Sequence, residues 1–164
     1  MKKIILHRTV NSSDQSTFNF FNRGSKPYGT YFVVDKDGKI YQTANLNKLT
    51  IHAGNANPYS VSIEVAGLSY DKNGKQTWVD VDHWEDVTDK QARSVACLLV
   101  ALMKKYNFTY EKVHFHEDLC NKQRYEGRLV WIAMKKYLPN PPSGNKPTPY
   151  RNSKLILDPR FPEG

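Results

Sequence analysis

Cysteine is scarce: Cys97 and Cys120 are the two among 164 residues. That is too few for the disulfide framework that holds small secreted domains together, and redox chemistry is not indicated. Long apolar runs are missing too. The stretch from Val95 to Met103 is well short of the roughly 20 residues a membrane span needs, so no insertion into a bilayer is expected. At the N-terminus only Ile4, Ile5 and Leu6 separate Lys2 and Lys3 from His7 and Arg8, too little for an ordinary secretion signal; synthesis in the cytoplasm is the expectation. Acidic residues are outnumbered, 16 against 24 Lys and Arg, leaving a formal charge of +8. Such a field favours an anionic partner: nucleic acid, an acidic polymer such as bacterial cell wall, or a membrane surface. No internal repeat, low-complexity tract, or local His-Glu-x-x-His or Cys-x-x-Cys metal motif is present.

Proline is nearly absent from the first 138 residues, where only Pro27 and Pro58 occur; seven of the nine prolines follow from Pro139 on. Residues 1–138 therefore read as one domain, and 139–164 as a Pro-rich tail that wraps the domain, pinned by Leu155, Ile156 and Leu157, or is partly disordered.

Within the domain, strands and helices alternate. Lys2 to Leu6 reads as a buried strand, and Asp14 to Asn22 as a short helix stopped by Gly24. Tyr31–Val34 and Lys39–Thr43 flank Asp35-Lys36-Asp37-Gly38, a hairpin signal. Ser60–Ala66 alternates Val61, Ile63 and Val65 against Ser62 and Glu64, which puts the carboxylate opposite the apolar side. Thr88 with Gln91 three residues on forms a capping box, after which Ala92, Val95, Ala96, Leu99, Leu102, Met103 and Tyr106 recur at helical spacing. Glu111–Phe115 reads as another strand, and about Arg128 to Tyr137 as a helix.

Two of the five histidines, His7 and His116, fall at the C-terminal ends of predicted strands, where side chains from distant positions converge in an α/β sheet. Two imidazoles and one further donor suit zinc, which takes nitrogen and oxygen ligands and in catalytic sites lowers the pKa of water to about 7. The segment after His116 offers Cys120 and Glu126, and spacing alone leaves both open.

Five blocks in order carry a resemblance: Ile-Leu-His-Arg-Thr at 5–9, Gly-Thr-Tyr-Phe-Val-Val-Asp-Lys-Asp-Gly-Lys-Ile-Tyr-Gln at 29–42, His-Ala-Gly-Asn at 52–55, Tyr-Ser-Val-Ser-Ile-Glu-Val-Ala-Gly at 59–67, and His-Glu-Asp with Glu-Gly at 116–127. Over about residues 2–138 the chain resembles the zinc-dependent N-acetylmuramoyl-L-alanine amidases, a family of small phage lysins, recycling amidases and peptidoglycan recognition proteins. The resemblance implies an α/β fold with a mixed central β-sheet flanked by helices, of the peptidoglycan recognition protein type. It implies zinc held by His7, His116 and a third ligand eight to ten residues after the second histidine, which selects Glu126 over Cys120. Glu64 matches the glutamate that recycling members place beside the metal-activated water. The family's lysine lies about two residues before the third ligand, which points to Arg124 as the oxyanion cation, with Lys122 the other choice.

The sequence departs from relatives at Thr30, where phage members have a tyrosine, and at Tyr31, where many have a histidine; Glu64 is then the favoured proton carrier. Tyr31, His52, Asn55 and Asn57 match positions lining the substrate groove. The implied reaction is hydrolysis of the amide between N-acetylmuramic acid and L-alanine of the stem peptide. The implied partner is peptidoglycan or a muropeptide rather than nucleic acid, with an immunity or regulatory protein as a further partner and a monomer as the expected state. A phage lysin, an injected effector and a recycling enzyme all fit. The rival reading is a non-catalytic peptidoglycan-binding protein of the same fold, against which the retained His7, His116 and Glu126 speak.

Overall fold

A computed structural model describes residues 1–143; from residue 144 on, the expected Pro-rich tail lies outside the described residues. At its start, the Tyr110 hydroxyl donates to the Pro139 carbonyl at 2.5 Å.

The chain opens with β1 (Lys3–Arg8) and α1 (Asp14–Phe21), the latter capped by the Ser13 hydroxyl on the Ser16 N–H. The predicted hairpin follows as β2 (Phe32–Val34) and β3 (Ile40–Gln42), and its turn has Gly38 at φ +86° with the Gly38 N–H bonded to the Asp35 carbonyl. Next come β4 (Ser60–Val65), the short antiparallel pair β5 (Ser69–Tyr70) and β6 (His83–Trp84), and the long α2 (Asp89–Tyr106). The chain continues through β7 (Val113–Phe115), a single turn α3 (His116–Leu119) and α4 (Arg128–Met134). Among the described residues no helix is long and apolar enough to cross a membrane.

Five strands form one mixed sheet in the order β3-β2-β4-β1-β7, parallel except for β3 at the edge. β1 is the switch point: β4 and β2 lie to one side of it and β7 to the other, so the carboxyl ends of β1, β4 and β7 open on one crevice. In-register neighbours of a parallel pair face the same side. Ile4 and Leu6 therefore share a face with Val61, Ile63, Val65, Val113 and Phe115, all fully buried with Leu99 of α2 and Trp131 of α4. His7 shares the opposite face with Glu64, its partner across the β1–β4 ladder.

The sequence reading differs from the structure at element ends. β1 runs two residues past Leu6, because its pairing with β4 continues through His7 and Arg8. β7 starts only at Val113, since Tyr110–Lys112 form a 3-10 turn, and α4 gives way at Met134 to another, Lys135–Tyr137. β4 is a central strand, so its polar side, with Ser62 at 0 % exposure, is covered rather than solvated.

The capping box of α2 is present: Gln91 N–H bonds the Thr88 hydroxyl at 3.1 Å, and Thr88 N–H bonds the Gln91 side-chain carbonyl at 3.0 Å. The same buried Gln91 donates its amide to the Ala66 carbonyl at 2.8 Å, tying the helix start to the end of β4. At the end of β1, Arg8 is buried against Gly67, where a Cβ would come within 2.3 Å of the guanidinium.

Candidate metal and catalytic site

His7 enters the crevice from the end of β1, and His116 from the first residue of α3, immediately after β7. Glu126 lies in the return loop before α4. The Glu117 carboxylate pins that loop by accepting the Gly127 N–H at 2.7 Å and the Arg128 N–H at 3.0 Å. Gly127 passes so close to β1 that a Cβ there would sit 2.3 Å from the Leu6 carbonyl oxygen. This contact brings the neighbouring Glu126 under His7. From the far side the β5–β6 excursion braces the loop: the Trp84 indole N–H bonds the Arg124 carbonyl at 2.8 Å, and the Val81 N–H bonds the Gln123 side chain at 3.2 Å.

The result is a compact donor set. One ligand atom each from His7, His116 and Glu126 lies within 4.8 Å of the others, and all three residues are buried. His116 Nδ1 is 2.5 Å from Glu126 Oε1, and His7 Nδ1 is 4.0 Å from the same oxygen. Burial holds both imidazoles neutral: it depresses His7 strongly and His116 to about 3, with the charge of Lys122 acting the same way on both. Burial pushes Glu126 up to about 8. Two neutral imidazoles with lone pairs and one desolvated carboxylate are the N/N/O set that zinc takes in open catalytic sites, and a dication offsets the cost of ionising that carboxylate out of water. The residues fit the metal. Cys120 is not in this set; its sulfur lies beside the loop at Gly54, and burial raises its thiol pKa.

Glu64 faces the same cluster. Burial, then the charge of Glu126, raises its carboxyl to about 8, while Lys122 opposes the rise. Lys122, exposed, is thus felt by His7, His116, Glu64 and Glu126. Arg124 contributes to none of these shifts, and among the described residues its buried Nε and Nη2 have no hydrogen-bond partner.

The expected groove residues are placed differently from one another. Tyr31 is 1 % exposed and donates its hydroxyl to the Lys48 carbonyl at 2.6 Å, which leaves it almost no surface to offer a substrate. Thr30 is also buried, with its hydroxyl on the Phe32 carbonyl. Asn57 folds its own loop, its side-chain oxygen taking the N–H groups of His52 and Ala53 at 3.0 and 2.6 Å. Asn55 is exposed on the same loop. His52 stands directly against His7, Nδ1 to Nε2 at 3.2 Å. Glu117 and Ser60 had no assigned role in the sequence reading. Glu117 could have been suspected as an acid next to a candidate ligand and ahead of a helix start; Ser60 gave no signal.

Residues 1–127 match the model of the family described as N-acetylmuramoyl-L-alanine amidase. Among solved structures, the chain is similar to the N-acetylmuramoyl-L-alanine amidase LysC from Clostridium intestinale URNW, at 27 % identity and TM-score 0.57 over 74 % of this chain and 73 % of that one. It shares its fold with the N-acetylmuramyl-L-alanine amidase AmiD from E. coli, solved with the substrate anhydro-N-acetylmuramic acid-L-Ala-D-gamma-Glu-L-Lys (17 % identity, TM-score 0.69, 84 % of this chain and 57 % of that one). It also shares it with PGRP-SA from Apis mellifera (17 % identity, TM-score 0.54, 73 % of each chain). The expected fold is thereby borne out. A search of curated proteins finds no match.

Proposed function

The chain belongs to the N-acetylmuramoyl-L-alanine amidase family, and from that membership we propose that it hydrolyses peptidoglycan at the amide joining N-acetylmuramic acid to L-alanine of the stem peptide, with zinc held by His7, His116 and Glu126. The observation that carries the proposal is the convergence of three buried donors from separate segments beside a second raised carboxyl, Glu64. A family member that only bound peptidoglycan would have no need of that combination.

Zinc held there supplies Lewis acidity toward the amide carbonyl and lowers the pKa of water to about 7. The chain's own groups do the rest. His7 and His116 present neutral imidazoles and need no proton loss to bind. Glu64 accepts the proton of the attacking water and passes it to the departing nitrogen; a carboxyl raised by desolvation lies nearer the working pH, where acid–base exchange is efficient. Lys122 faces the charge that builds on the carbonyl oxygen in the tetrahedral transition state. Arg124 is the alternative for that role. The net charge of +8 draws the protein toward an anionic wall.

The test is zinc content of protein purified without chelator, together with release of stem peptide from purified sacculi and from soluble muropeptides. One zinc per chain and activity abolished by chelation are expected. Undiminished hydrolysis by metal-free protein would overturn the metal assignment, and zinc uptake with no hydrolysis of either substrate would favour a binding protein. Comparing the two substrates separates a wall-lysing enzyme, released or delivered by another system, from one acting on cytoplasmic muropeptides.

A further inference from the structure

His52 has both ring nitrogens engaged. Nδ1 meets His7 Nε2 at 3.2 Å, and Nε2 meets the Ser60 hydroxyl at 3.2 Å. The direction of these bonds follows from Ser60. A hydroxyl has one hydrogen, and Ser60 donates it to the Ala56 carbonyl at 2.7 Å. Toward His52 it can therefore only accept, so the hydrogen of that contact belongs to His52 Nε2. A neutral imidazole with its hydrogen on Nε2 has a bare Nδ1, which accepts from His7 Nε2. His7 is then left with its lone pair on Nδ1, the nitrogen that faces Glu126.

The ring that makes this relay is itself held. Its backbone N–H is fixed by Asn57 at 3.0 Å, and the Tyr31 ring lies edge-on to it at 6.2 Å between centroids. Ser60 is 0 % and His7 2 % exposed, so the two groups that flank the half-buried His52 are themselves shielded from water.

We propose that His52 is a positioning residue for the metal site and not a substrate-groove residue: through the chain Ala56, Ser60, His52, His7 it fixes the tautomer and ring orientation of His7 and aims the His7 Nδ1 lone pair at the metal. Partners that hold the second nitrogen of a ligating histidine commonly contribute about 10–100-fold to metal affinity. The proposal rests on His7 being a metal ligand, and the test has one arm that needs no metal.

The first arm is nitrogen-15 NMR of the imidazoles in metal-free protein. His7 should carry its hydrogen on Nε2 and His52 on Nε2, with a coupling across the His7–His52 hydrogen bond. His7 protonated on Nδ1 instead would overturn the relay. The second arm compares zinc affinity, by competition with a chromophoric chelator, in His52→Leu and His52→Asn. These side chains are nearly the same shape, but only asparagine places an acceptor oxygen where Nδ1 was. His52→Leu should weaken zinc binding by about 10–100-fold and His52→Asn should restore most of it. Equal affinities in the two variants would mean that His52 acts by packing alone. Ser60→Ala, a smaller change, should weaken zinc binding less than His52→Leu and let the His52 tautomer become mixed; an unchanged tautomer would remove Ser60 from the chain. Wild-type protein with the expected tautomers but no zinc uptake would overturn the metal reading and the role of His52 with it, whereas normal zinc uptake by His52→Leu would overturn the role alone.

Discussion

At the scale of single residues, the side chains around the crevice separate by what each can lose. Glu64→Gln keeps shape and hydrogen-bonding capacity but removes the base. Zinc content should stay near wild type while kcat falls by about 10²- to 10⁴-fold, with KM little changed because proton transfer belongs to the transition state. Full zinc with near-normal turnover would reduce Glu64 to a strand residue. Glu126→Ala should strip the metal, whereas Cys120→Ala should leave zinc affinity as it was, since the thiol lies by Gly54 and outside the donor set; the opposite pattern in a chelator competition would reassign the ligand. Lys122→Met should lower kcat by about 10²- to 10³-fold, the scale of a lost oxyanion donor. Arg124→Met should instead show its effect in unfolding experiments, and a kcat loss confined to Arg124→Met would reverse the two roles. That His7 and His116 converge could be read from sequence because a strand end is a geometric address. The Lys122 and Arg124 question could not, because residues counted along a loop say nothing of which side chain faces the cluster. The role proposed for His52 was equally hidden: it depends on where the one hydroxyl hydrogen of Ser60 points, and on a contact spanning 45 positions.

At the scale of elements, Gln91 shows how one side chain serves two levels at once. Its capping role was legible as a three-residue spacing; its bond to the Ala66 carbonyl, 25 positions away, was not. Gln91→Ala leaves the Thr88 hydroxyl on the helix but removes the acceptor of the Thr88 N–H and leaves a buried carbonyl without its donor. It should therefore cost about 2–4 kcal/mol, combining roughly 1 kcal/mol for the lost reciprocal bond with about 1–3 for the orphaned acceptor. Urea unfolding measures it, and a loss under about 1 kcal/mol would mean that water reaches the carbonyl. The ends of β1 and β7 were misjudged for a related reason. Strand limits are set by the neighbour's hydrogen bonds, and β1 continues to Arg8 because β4 is there to pair with it. β5 and β6, two residues each, carry no alternation that could be read, yet their excursion braces the loop that bears Lys122 and Glu126.

At the scale of the whole molecule, the proposed site ties metal binding to folding. His7, His116 and Glu126 come from both ends of the described domain, so an ion held by all three would bind only the native state. Zinc at about 1,000 times its Kd should add roughly 4 kcal/mol to stability, and calorimetry should show Tm rising with zinc concentration; a Tm indifferent to zinc would mean that the site is not the one described. The order of the sheet also has a consequence in time. Lys3 pairs with Ser60 and Ile4 with Val113, so β1 is synthesised well before β7, the last strand of the described residues, and waits for it before both its edges are closed. Pairings this distant in sequence make folding slow, because loop-closure entropy must be overcome before the contact is gained. Until β7 arrives, β1 presents an apolar, unpaired edge that invites association with other chains. His7 would spend that interval without the partners that make it a ligand, and a nascent chain halted before residue 113 should be recognised by chaperones and hold no zinc.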